Sequence, residues 1–486
     1  MSSLPLLTKG DCNASSYNTT ENGEFRRISS KLDDIDDDDD DNVPKLGVLQ
    51  IMAILSGAFA YGGVMSTYFL LTLPSECSVF GDGSSIALGV FVGIAGFSQL
   101  VAPIVGLISD RCAHRMGRRR PFVIVGGVIS IVGLLVQQAF SARIDVDNRN
   151  WYIYVVAFFC TMIGMNTIFA AMIALIPDLV PNHQIGTANG FEALLFVSGS
   201  LFGFASFNTY LNESLYSIYN FYIALNFGCV ILTWMYANEQ PILVQNVKDQ
   251  AQKNTFREDT ISSLDDYAYP SSPITWTQVK DSFFISPTDH HDFFFVTVSR
   301  TFYYMGISVQ TFFLYYLRDI IKVTDPEGSM AILAVVGQAF GAIATVPIGM
   351  ISDYCGKQRK PYVFASCAIL SITNFSLLYI RSFRSVMIIA SIAGIANGAY
   401  LTMDTSLAMD TLPNSDESAR MLGVWGVAMF IGSALGPMIG GPLLFLTSSG
   451  NGSYSLFGYG LLFFLSALYY SMSALILTFV NSSEKR

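Results

Sequence analysis

Long apolar stretches recur along this chain and are separated by short polar segments. A helix needs about 20 mostly apolar residues to cross the hydrocarbon layer of a membrane. The stretches that reach this length predict an all-α membrane protein with twelve transmembrane helices, arranged as two pseudo-symmetric bundles of six. The predicted spans are residues 46–73, 85–109, 121–142, 151–176, 184–211, 218–238, 293–317, 329–352, 361–380, 386–412, 419–446 and 455–480.

The polar segments divide the chain into domains. The first segment is low in complexity and contains a run of six aspartates at 36–41, so it cannot bury enough apolar surface to fold alone. The polar segment in the middle is too poor in apolar runs to cross a membrane. The predicted order is a disordered acidic tail at 1–45, a six-helix bundle at 46–238, a linker at 239–292, a second bundle at 293–480 and a short tail at 481–486.

Composition supports a lipid-facing surface and excludes several classes of protein. Hydrophobic residues make up 52% of the 486 residues and charged residues 13%, against about 25% charged in soluble domains. The seven cysteines and four histidines show neither a CxxC pair nor metal-ligand spacing. The loops hold no nucleophile–base pair and no phosphate-binding motif. We therefore expect no enzyme, no metal and no cofactor other than protons as a coupling ion. We also expect a monomer with a small solute and the bilayer as partners, and no nucleic acid.

The lysines and arginines predict the orientation in the membrane, because loops rich in these residues stay in the cytoplasm. With both termini placed inside, 20 of the 27 basic residues lie on the cytoplasmic side and six on the other, while Arg300 lies within a span. We expect both termini and the linker to be cytoplasmic, in a plasma or internal membrane.

The two halves share short motifs in the same order. Duplicated halves are typical of secondary transporters, and three matches at a nearly constant offset indicate that the halves are homologous. The matched pairs are Gly106-Leu-Ile-Ser-Asp110 with Gly349-Met-Ile-Ser-Asp353, Asp178-Leu-Val-Pro181 with Asp410-Thr-Leu-Pro413, and Gly199-Ser-Leu-Phe-Gly203 with Gly432-Ser-Ala-Leu-Gly436.

The loop after the second span resembles the signature loop of the major facilitator superfamily. It reads Gly106-Leu-Ile-Ser-Asp110-Arg111-Cys-Ala-His-Arg115-Met-Gly117-Arg118-Arg119-Arg120-Pro121. This longer form is similar to the sucrose/proton symporters of plants, in the glycoside-pentoside-hexuronide cation symporter-like branch. Two other stretches, 313–319 and 403–413, look like bacterial members of the same broad branch. The superfamily resemblance covers about 46–480, whereas the sugar-symporter resemblance is concentrated in the one loop.

This resemblance implies a carrier whose halves rock about a solute site near the midplane. Helices one, four, seven and ten would line the cavity, and the loop charges would latch against the other half in one conformation. The alternative is that the charged cluster only fixes the topology. The implied gating residues are Gly106, Asp110, Arg111, Gly117, Arg118, Gly349 and Asp353.

Three charged residues are predicted at membrane depth, where a charge costs at least ~2.5 kcal/mol. Arg300, Asp404 and Glu192 each lie about eight residues from the predicted cytoplasmic end of a span, or about 12 Å. We hypothesise that Asp404 and Arg300 form an ion pair in which Asp404 is the protonatable coupling site. A static structural pair is the alternative. Glu192 is the weaker candidate, since its helix is not expected to line the cavity centrally. Met172 aligns with Asp404 in the first half.

Polar and aromatic residues within the spans are the candidates for solute binding. Sugar sites need amide and hydroxyl groups together with an apolar ring platform. Gln99 and Gln338 are better explained by hydrogen bonds between helices. The binding candidates are Asn166, Gln310, Asn397, Tyr61 and Tyr400.

These features together predict a secondary active transporter that moves a small polar solute by proton-coupled alternating access. A sugar such as sucrose or another glycoside is the favoured solute. A carrier of a nucleoside, amino acid or organic anion, and a non-transporting nutrient sensor with the same fold, remain as alternatives.

Overall fold

The computed structural model describes residues 46–480 except 111, 113, 142–149, 182–183, 208–214, 240–284, 356–357, 413–417 and 451. The predicted tails at 1–45 and 481–486 and most of the predicted linker therefore lie outside the described residues.

The described residues form twelve helices in sequence order, as the apolar pattern predicts. In the first half, helix 1 consists of Val48–Ile54, Ser56–Thr67, Tyr68–Thr72 and Leu73–Cys77; helix 2 of Ser84–Ser98 and Val101–Asp110; helix 3 is Arg120–Ala139, helix 4 Trp151–Leu179, helix 5 Ile185–Ser206 and helix 6 Leu215–Tyr236. In the second half, helix 7 consists of His291–Ile307, Ser308–Phe312, Phe313–Tyr316 and Leu317–Ile321; helix 8 is Pro326–Tyr354, helix 9 Lys360–Leu377, helix 10 Phe383–Thr411, helix 11 Ser418–Phe445 and helix 12 Leu456–Leu477.

Nine helical stretches among the described residues are long and apolar enough to cross a membrane. One of them, Ser56–Asp110, runs through the turn at Gly81 and so contains both helix 1 and helix 2. Helix 7, which carries Arg300, and helix 9, which has 18 residues, are not among the nine. The chain is a multi-pass, all-α membrane protein.

Each half packs its helices in the same pattern. Helix 1 packs against helices 5 and 6, and helix 3 against helices 4 and 6; helix 7 likewise packs against helices 11 and 12, and helix 9 against helices 10 and 12. Glycines make the closest approaches possible. A Cβ atom on Gly62 would lie 2.1 Å from the Phe196 carbonyl oxygen, and one on Gly432 would lie 2.2 Å from the Thr301 carbonyl oxygen. The internal repeat is thus also a repeat of helix packing.

The two halves meet along helices 2 and 11 and along helices 5 and 8. Gly89 of helix 2 lies against the backbone of Pro437, and Gly93 lies against the side chain of Met438. Small residues at these positions let the two bundles approach closely.

Helix 1 extends beyond its predicted end at residue 73. Pro74 lies in the first turn of the segment Leu73–Cys77, where a proline is tolerated because its missing N–H group is not needed. The extension buries Glu76 completely. Its carboxylate accepts hydrogen bonds from the hydroxyls of Ser141 and Tyr219. The predicted span 46–73 left this carboxylate outside the helix, whereas the structure places it inside.

Candidate functional site

A cavity of about 350 Å³ lies between the two bundles and mainly within the second. Helices 7 and 10 line it, as predicted, through Gln310 and Asn397. Helix 1 contributes Leu70, and helix 5 contributes Phe196 and Val197. Helix 4, which the family resemblance also assigned to the cavity, contributes no lining residue in the described part of the chain. Helices 8, 9 and 12 do contribute.

Amide side chains supply most of the hydrogen-bonding capacity of this cavity. They are Gln310, Gln338, Asn374 and Asn397. Gln338, which we expected to bond between helices, makes no such hydrogen bond within the described residues and faces the cavity instead. Its helix carries Gly337 and Gly341, whose backbones lie against helix 10. This glycine spacing is the sequence signal that could have placed helix 8 at the cavity.

The predicted ion pair between Arg300 and Asp404 is present, and both side chains are buried. Asp404 lies one helical turn from Leu401, which lines the cavity. The planar face of the Arg300 guanidinium lies 3.6 Å from the ring centre of Trp425 on helix 11, a geometry that stabilises a desolvated cation. The pair therefore links helices 7, 10 and 11 beside the cavity. Its role in proton coupling stays a prediction.

A tyrosine–asparagine hydrogen bond occurs at corresponding places in the two halves. In the first half, the Tyr61 hydroxyl on helix 1 donates to Oδ1 of Asn166 on helix 4 at 2.9 Å. In the second half, the Tyr303 hydroxyl on helix 7 donates to Oδ1 of Asn397 on helix 10 at 2.6 Å. Both bonds hold the first helix of a half against its fourth. Tyr303 was missed because a single sequence does not show which tyrosine faces an asparagine.

Three of the solute-binding candidates are enclosed by protein in this structure. Tyr61 and Asn166 are bonded to each other, Asn166 also donates to Ser98, and Gln99 donates to the Tyr61 hydroxyl at 3.1 Å. The interhelical role expected for Gln99 is thereby confirmed. Tyr400 is fully buried and stacks on Tyr303. The structure does not bring these three candidates to the cavity wall.

Glu192 is half-buried on helix 5, one helical turn from the cavity residue Phe196. No ion pair involves Glu192 within the described residues, and it lies apart from the Arg300–Asp404 pair. Helix 5 reaches the cavity because it also packs against helix 8 of the second half.

Charged residues of the first signature loop form a compact cluster. Arg118 donates through Nε to Asp178 at the end of helix 4 at 2.9 Å, and Arg119 donates to the same carboxylate at 3.0 Å. Arg119 also pairs with Asp110. The hydrogen bond to Asp178 is the main cause that raises the pKa of the Arg118 guanidinium. Arg119 was not among the predicted gating residues, although its burial makes it central to the cluster.

The loop closes around a carboxylate from the end of the first bundle. Glu239, just beyond helix 6, accepts hydrogen bonds of 2.9 Å from the backbone amides of Arg119 and Arg120. Gly117 has a φ of 100°, which disfavours other residues, and lies directly against the Glu239 side chain. Gly106 accepts a hydrogen bond from the Ser109 hydroxyl. The glycines thus shape the loop around the charged groups.

The second half repeats part of this cluster. Arg359 donates to Asp410 at 3.3 Å and to the hydroxyl of Ser352 at 2.9 Å, as Arg119 does to Asp178 and Ser109. Gly349 leaves room beside Thr402, and Asp353 lies at the end of helix 8. Arg111 lies outside the described residues. Each of the described ion pairs joins groups of one half, so the described loop charges form no latch between the halves, and the latch stays a prediction.

Hydrogen bonds between the halves lie at the end of the molecule opposite these loops. We call the end with the arginine loops the basic end, and the other the hairpin end, after the paired strands Ser448–Gly450 and Ser453–Tyr454. At the hairpin end, Asp82 accepts hydrogen bonds from the Gly452 amide at 2.7 Å and the Ser448 hydroxyl at 3.0 Å. The Tyr315 hydroxyl donates to the Pro74 carbonyl oxygen at 2.9 Å. The hairpin end is closed.

Two similar bundles that meet around a central cavity define the class of the protein as a membrane transporter of the alternating-access type of fold. A model of the Major Facilitator Superfamily matches residues 53–316 and 296–485. The chain therefore belongs to the major facilitator superfamily.

Curated relatives include sucrose transporters, over part of their length. Sucrose transport protein SUT1 of Oryza sativa subsp. japonica is 29% identical over 181 residues, which cover 34% of this chain and 32% of that protein. Sucrose transport protein SUC3 of Arabidopsis thaliana is 30% identical over 142 residues, or 26% of this chain and 24% of that protein. The uncharacterized MFS-type transporter YfkL of Bacillus subtilis (strain 168) is 30% identical over 163 residues, covering 33% of this chain and 37% of that protein. The chain thus spans about a third of the length of the first curated relatives it matches.

Solved structures agree in fold over nearly the whole chain. The nucleoside transporter NupG has a TM-score of 0.63 at 13% identity and covers 88% of this chain and 98% of its own. A D-xylose-proton symporter has a TM-score of 0.59 at 14% identity, with 87% and 97% covered. These likenesses establish the transporter fold and leave the solute to be argued from the cavity.

Proposed function

We propose that this protein carries a small neutral sugar or glycoside across a membrane by proton-coupled alternating access. The observation that carries the proposal is a cavity lined by amides that adjoins a buried carboxylate–arginine pair. Relatives described as sucrose transport proteins support a sugar as the solute.

The cavity wall matches the chemistry of a neutral polyol. The described lining residues include no Asp, Glu, Lys, Arg or His, so an ionic solute would find no opposite charge there. Amides can both donate to and accept from sugar hydroxyls, while Leu70 and Phe196 provide apolar surface for a ring. A cavity of this size falls in the usual range for small-molecule sites.

The Arg300–Asp404 pair provides a place for the coupled proton. In the ionised pair the two charges neutralise each other, which makes their burial tolerable. Protonation of Asp404 would free the Arg300 guanidinium, so proton uptake and the arrangement of helices 7, 10 and 11 would change together. The hairpin end is closed, and no described hydrogen bond joins the halves at the basic end. These two observations support a conformation whose cavity faces the cytoplasm.

Uptake into proteoliposomes tests the proposal. Purified protein should accumulate labelled sucrose, maltose or glucose when the outside is acidic, and a protonophore should abolish the accumulation. Asn397→Ala should raise KM for the sugar by about tenfold, the usual effect of losing one or two hydrogen bonds in a binding site. Asn374→Ala and Gln310→Ala serve as further cavity variants, and Asn220→Ala, at an exposed position of helix 6 outside the cavity wall, serves as the control. Uptake of an organic ion or nucleoside without uptake of any sugar would overturn the assignment of the solute.

A further inference from the structure

An apolar groove of about 450 Å³ lies on the outer surface of the first bundle, between helices 3 and 6. Gly127 forms part of its floor, because a Cβ atom there would lie 3.0 Å from Val230. Val128 and Val132 on one wall and Phe227 on the other are each more than half exposed. The full lining is Ile124, Gly127, Val128, Ile131, Val132, Phe227, Val230, Ile231 and Trp234.

Polar contacts between the two helices frame this groove without entering it. At the hairpin end, Gln138 donates to Oδ1 of Asn220 at 3.0 Å. At the basic end, Arg120 donates to the carbonyl oxygen of Trp234. The groove between these contacts is lined by apolar residues.

The depth of the groove matches one leaflet of a bilayer. Its walls on helix 3 run from Ile124 to Val132, four to twelve residues beyond Arg120. At 1.5 Å per residue, this places the groove about 6 to 18 Å from the arginine. Half of a hydrocarbon core that is about 30 Å thick is about 15 Å. An acyl chain lying in the groove would thus have its headgroup at the level of Arg120.

Arg120 is a cation without a carboxylate partner in the described part of the chain. Its guanidinium lies 5.6 Å from the ring centre of Trp234, at the mouth of the groove. Its Nε atom is buried and makes no hydrogen bond with any described residue. The side chain as a whole is only partly buried, so a phosphate oxygen at the mouth of the groove would accept hydrogen bonds from the exposed N–H groups of the guanidinium.

The neighbouring charges are occupied elsewhere. Arg118 and Arg119 share Asp178, and Arg119 also pairs with Asp110. The Glu239 carboxylate is turned towards backbone amides. Arg120 thus remains available to an external anion.

We infer that this groove is a binding site for an anionic phospholipid, whose acyl chain fills the groove and whose phosphate pairs with Arg120. The basic end is predicted to face the cytoplasm, where the membrane leaflet carries anionic lipids. This inference concerns the lipid-facing surface and stands independently of the transported solute.

Native mass spectrometry of the full chain in detergent tests the affinity. Titration with dioleoyl phosphatidylserine should give tighter binding of the first lipid than dioleoyl phosphatidylcholine by about fivefold, the factor expected for one arginine at a membrane surface. Arg120→Gln should reduce this preference to about one. Arg381→Gln, an exposed arginine near the end of helix 9, should leave it unchanged. Equal affinity for both lipids, or a preference that survives Arg120→Gln, would overturn the inference.

A second variant tests the groove itself and keeps the arginine. Ile131→Phe fills the groove and should lower the affinity for the first phosphatidylserine by at least threefold, while Ile372→Phe, on the exposed face of helix 9, should not. The location is checked in proteoliposomes with brominated phosphatidylserine, which should quench Trp234 fluorescence more strongly than brominated phosphatidylcholine. Trp234→Phe identifies the contribution of that residue. Unchanged lipid affinity in Ile131→Phe would show that the lipid binds elsewhere.

Discussion

The carboxylate of Asp404 is buried within the membrane-spanning part of helix 10 and has one cationic partner, Arg300. The corresponding residue of the first half is Met172, which is also buried. An internal repeat with a charge in only one half indicates that this carboxylate is not required by the fold. Its retention at a cost of at least ~2.5 kcal/mol is better explained by function.

We predict that Asp404→Asn uncouples transport from protons. Asparagine has a similar shape but cannot bind or release a proton, so accumulation of sugar should fall at least tenfold while exchange of labelled for unlabelled sugar continues. Proteoliposome uptake with and without a protonophore measures both. Asp410→Asn on the same helix, which replaces an exposed carboxylate paired with Arg359, is the matched control and should keep its protonophore sensitivity. If Asp404→Asn still accumulates sugar under a proton gradient, Asp404 is not the coupling site.

Loss of the carboxylate also leaves Arg300 without its ion-pair partner, which could itself destabilise the protein by about 3–5 kcal/mol. The double variant Arg300→Gln/Asp404→Asn removes both charges and should recover thermal stability in detergent without recovering coupling. This pattern separates a folding defect from a coupling defect.

Glu239 gives a second prediction at the scale of single residues. Burial raises the pKa of its carboxyl, and this effect outweighs the opposing hydrogen bonds from the amides of Arg120 and Arg119. A carboxyl whose pKa is higher in the folded state than in the unfolded state binds its proton more tightly when folded. Its contribution to stability is therefore largest below the unfolded value of about 4.3 and is lost as the pH rises through the folded pKa.

We expect Glu239→Gln to flatten the pH dependence of thermal stability above about pH 4.5. The unfolding midpoint of the purified protein, measured in detergent between about pH 4.5 and 7.5, checks this. Asp289→Asn, at an exposed turn before helix 7, should leave the slope as it is. An unchanged slope in Glu239→Gln would contradict the prediction.

At the scale of helices, glycines determine how closely helices 8 and 10 pack beside the cavity. A Cβ atom on Gly394 would lie 2.2 Å from the carbonyl oxygen of Gly337, and one on Gly398 would lie 2.2 Å from that of Gly341. These contacts are with backbone, which cannot move aside without shifting a helix. The two helices also carry Gln338 and Asn397, so their spacing sets the width of the cavity.

We predict that Gly394→Ala destabilises the protein by about 1–3 kcal/mol, the usual cost of overpacking, and impairs solute binding. Gly228→Ala on helix 6, where a Cβ atom would meet nothing within 4 Å, should be neutral or stabilise by about 0.5 kcal/mol. Thermal unfolding and sugar KM measure the two effects. Equal stability of the two variants would show that helices 8 and 10 can separate freely.

The apolar pattern was sufficient to predict the helices, because each span must satisfy its own backbone hydrogen bonds. Three matched motifs predicted their duplication. It was not sufficient to assign helix faces. Phe196 and Gln338 face the cavity because helices 5 and 8 pack against each other across the halves, which no periodicity within one helix reveals. The Arg300–Asp404 pair was predictable from a shared depth, whereas the enclosure of Asn166 depends on Tyr61 and Ser98 of two other helices.

At the scale of the whole molecule, hydrogen bonds between the halves close the hairpin end, and the Asp82 carboxylate accepts two of them. Asp82 of the first half holds the strands Ser448–Gly450 and Ser453–Tyr454 of the second. Helices 2 and 11 also pack against each other between the two halves. Under the proposed alternating access, these contacts would break when the cavity opens to the other side, so Asp82 should contribute to the balance between the two conformations.

We predict that Asp82→Ala shifts this balance towards opening at the hairpin end. The variant loses two hydrogen bonds to a carboxylate, and a loss of about 2 kcal/mol would change the ratio of conformations about 30-fold. Double electron–electron resonance between spin labels at Phe80 and Tyr379, in a cysteine-depleted chain, should show a larger population at long distance. Ser453→Ala removes a hydroxyl whose one hydrogen bond among the described residues is to Gly450 of the same hairpin, so it should leave the distances unchanged. Both variants alter the hairpin region, but only Asp82→Ala removes hydrogen bonds between the halves. If the two variants changed the distances equally, the hairpin itself, and not its hydrogen bonds to the first half, would control opening.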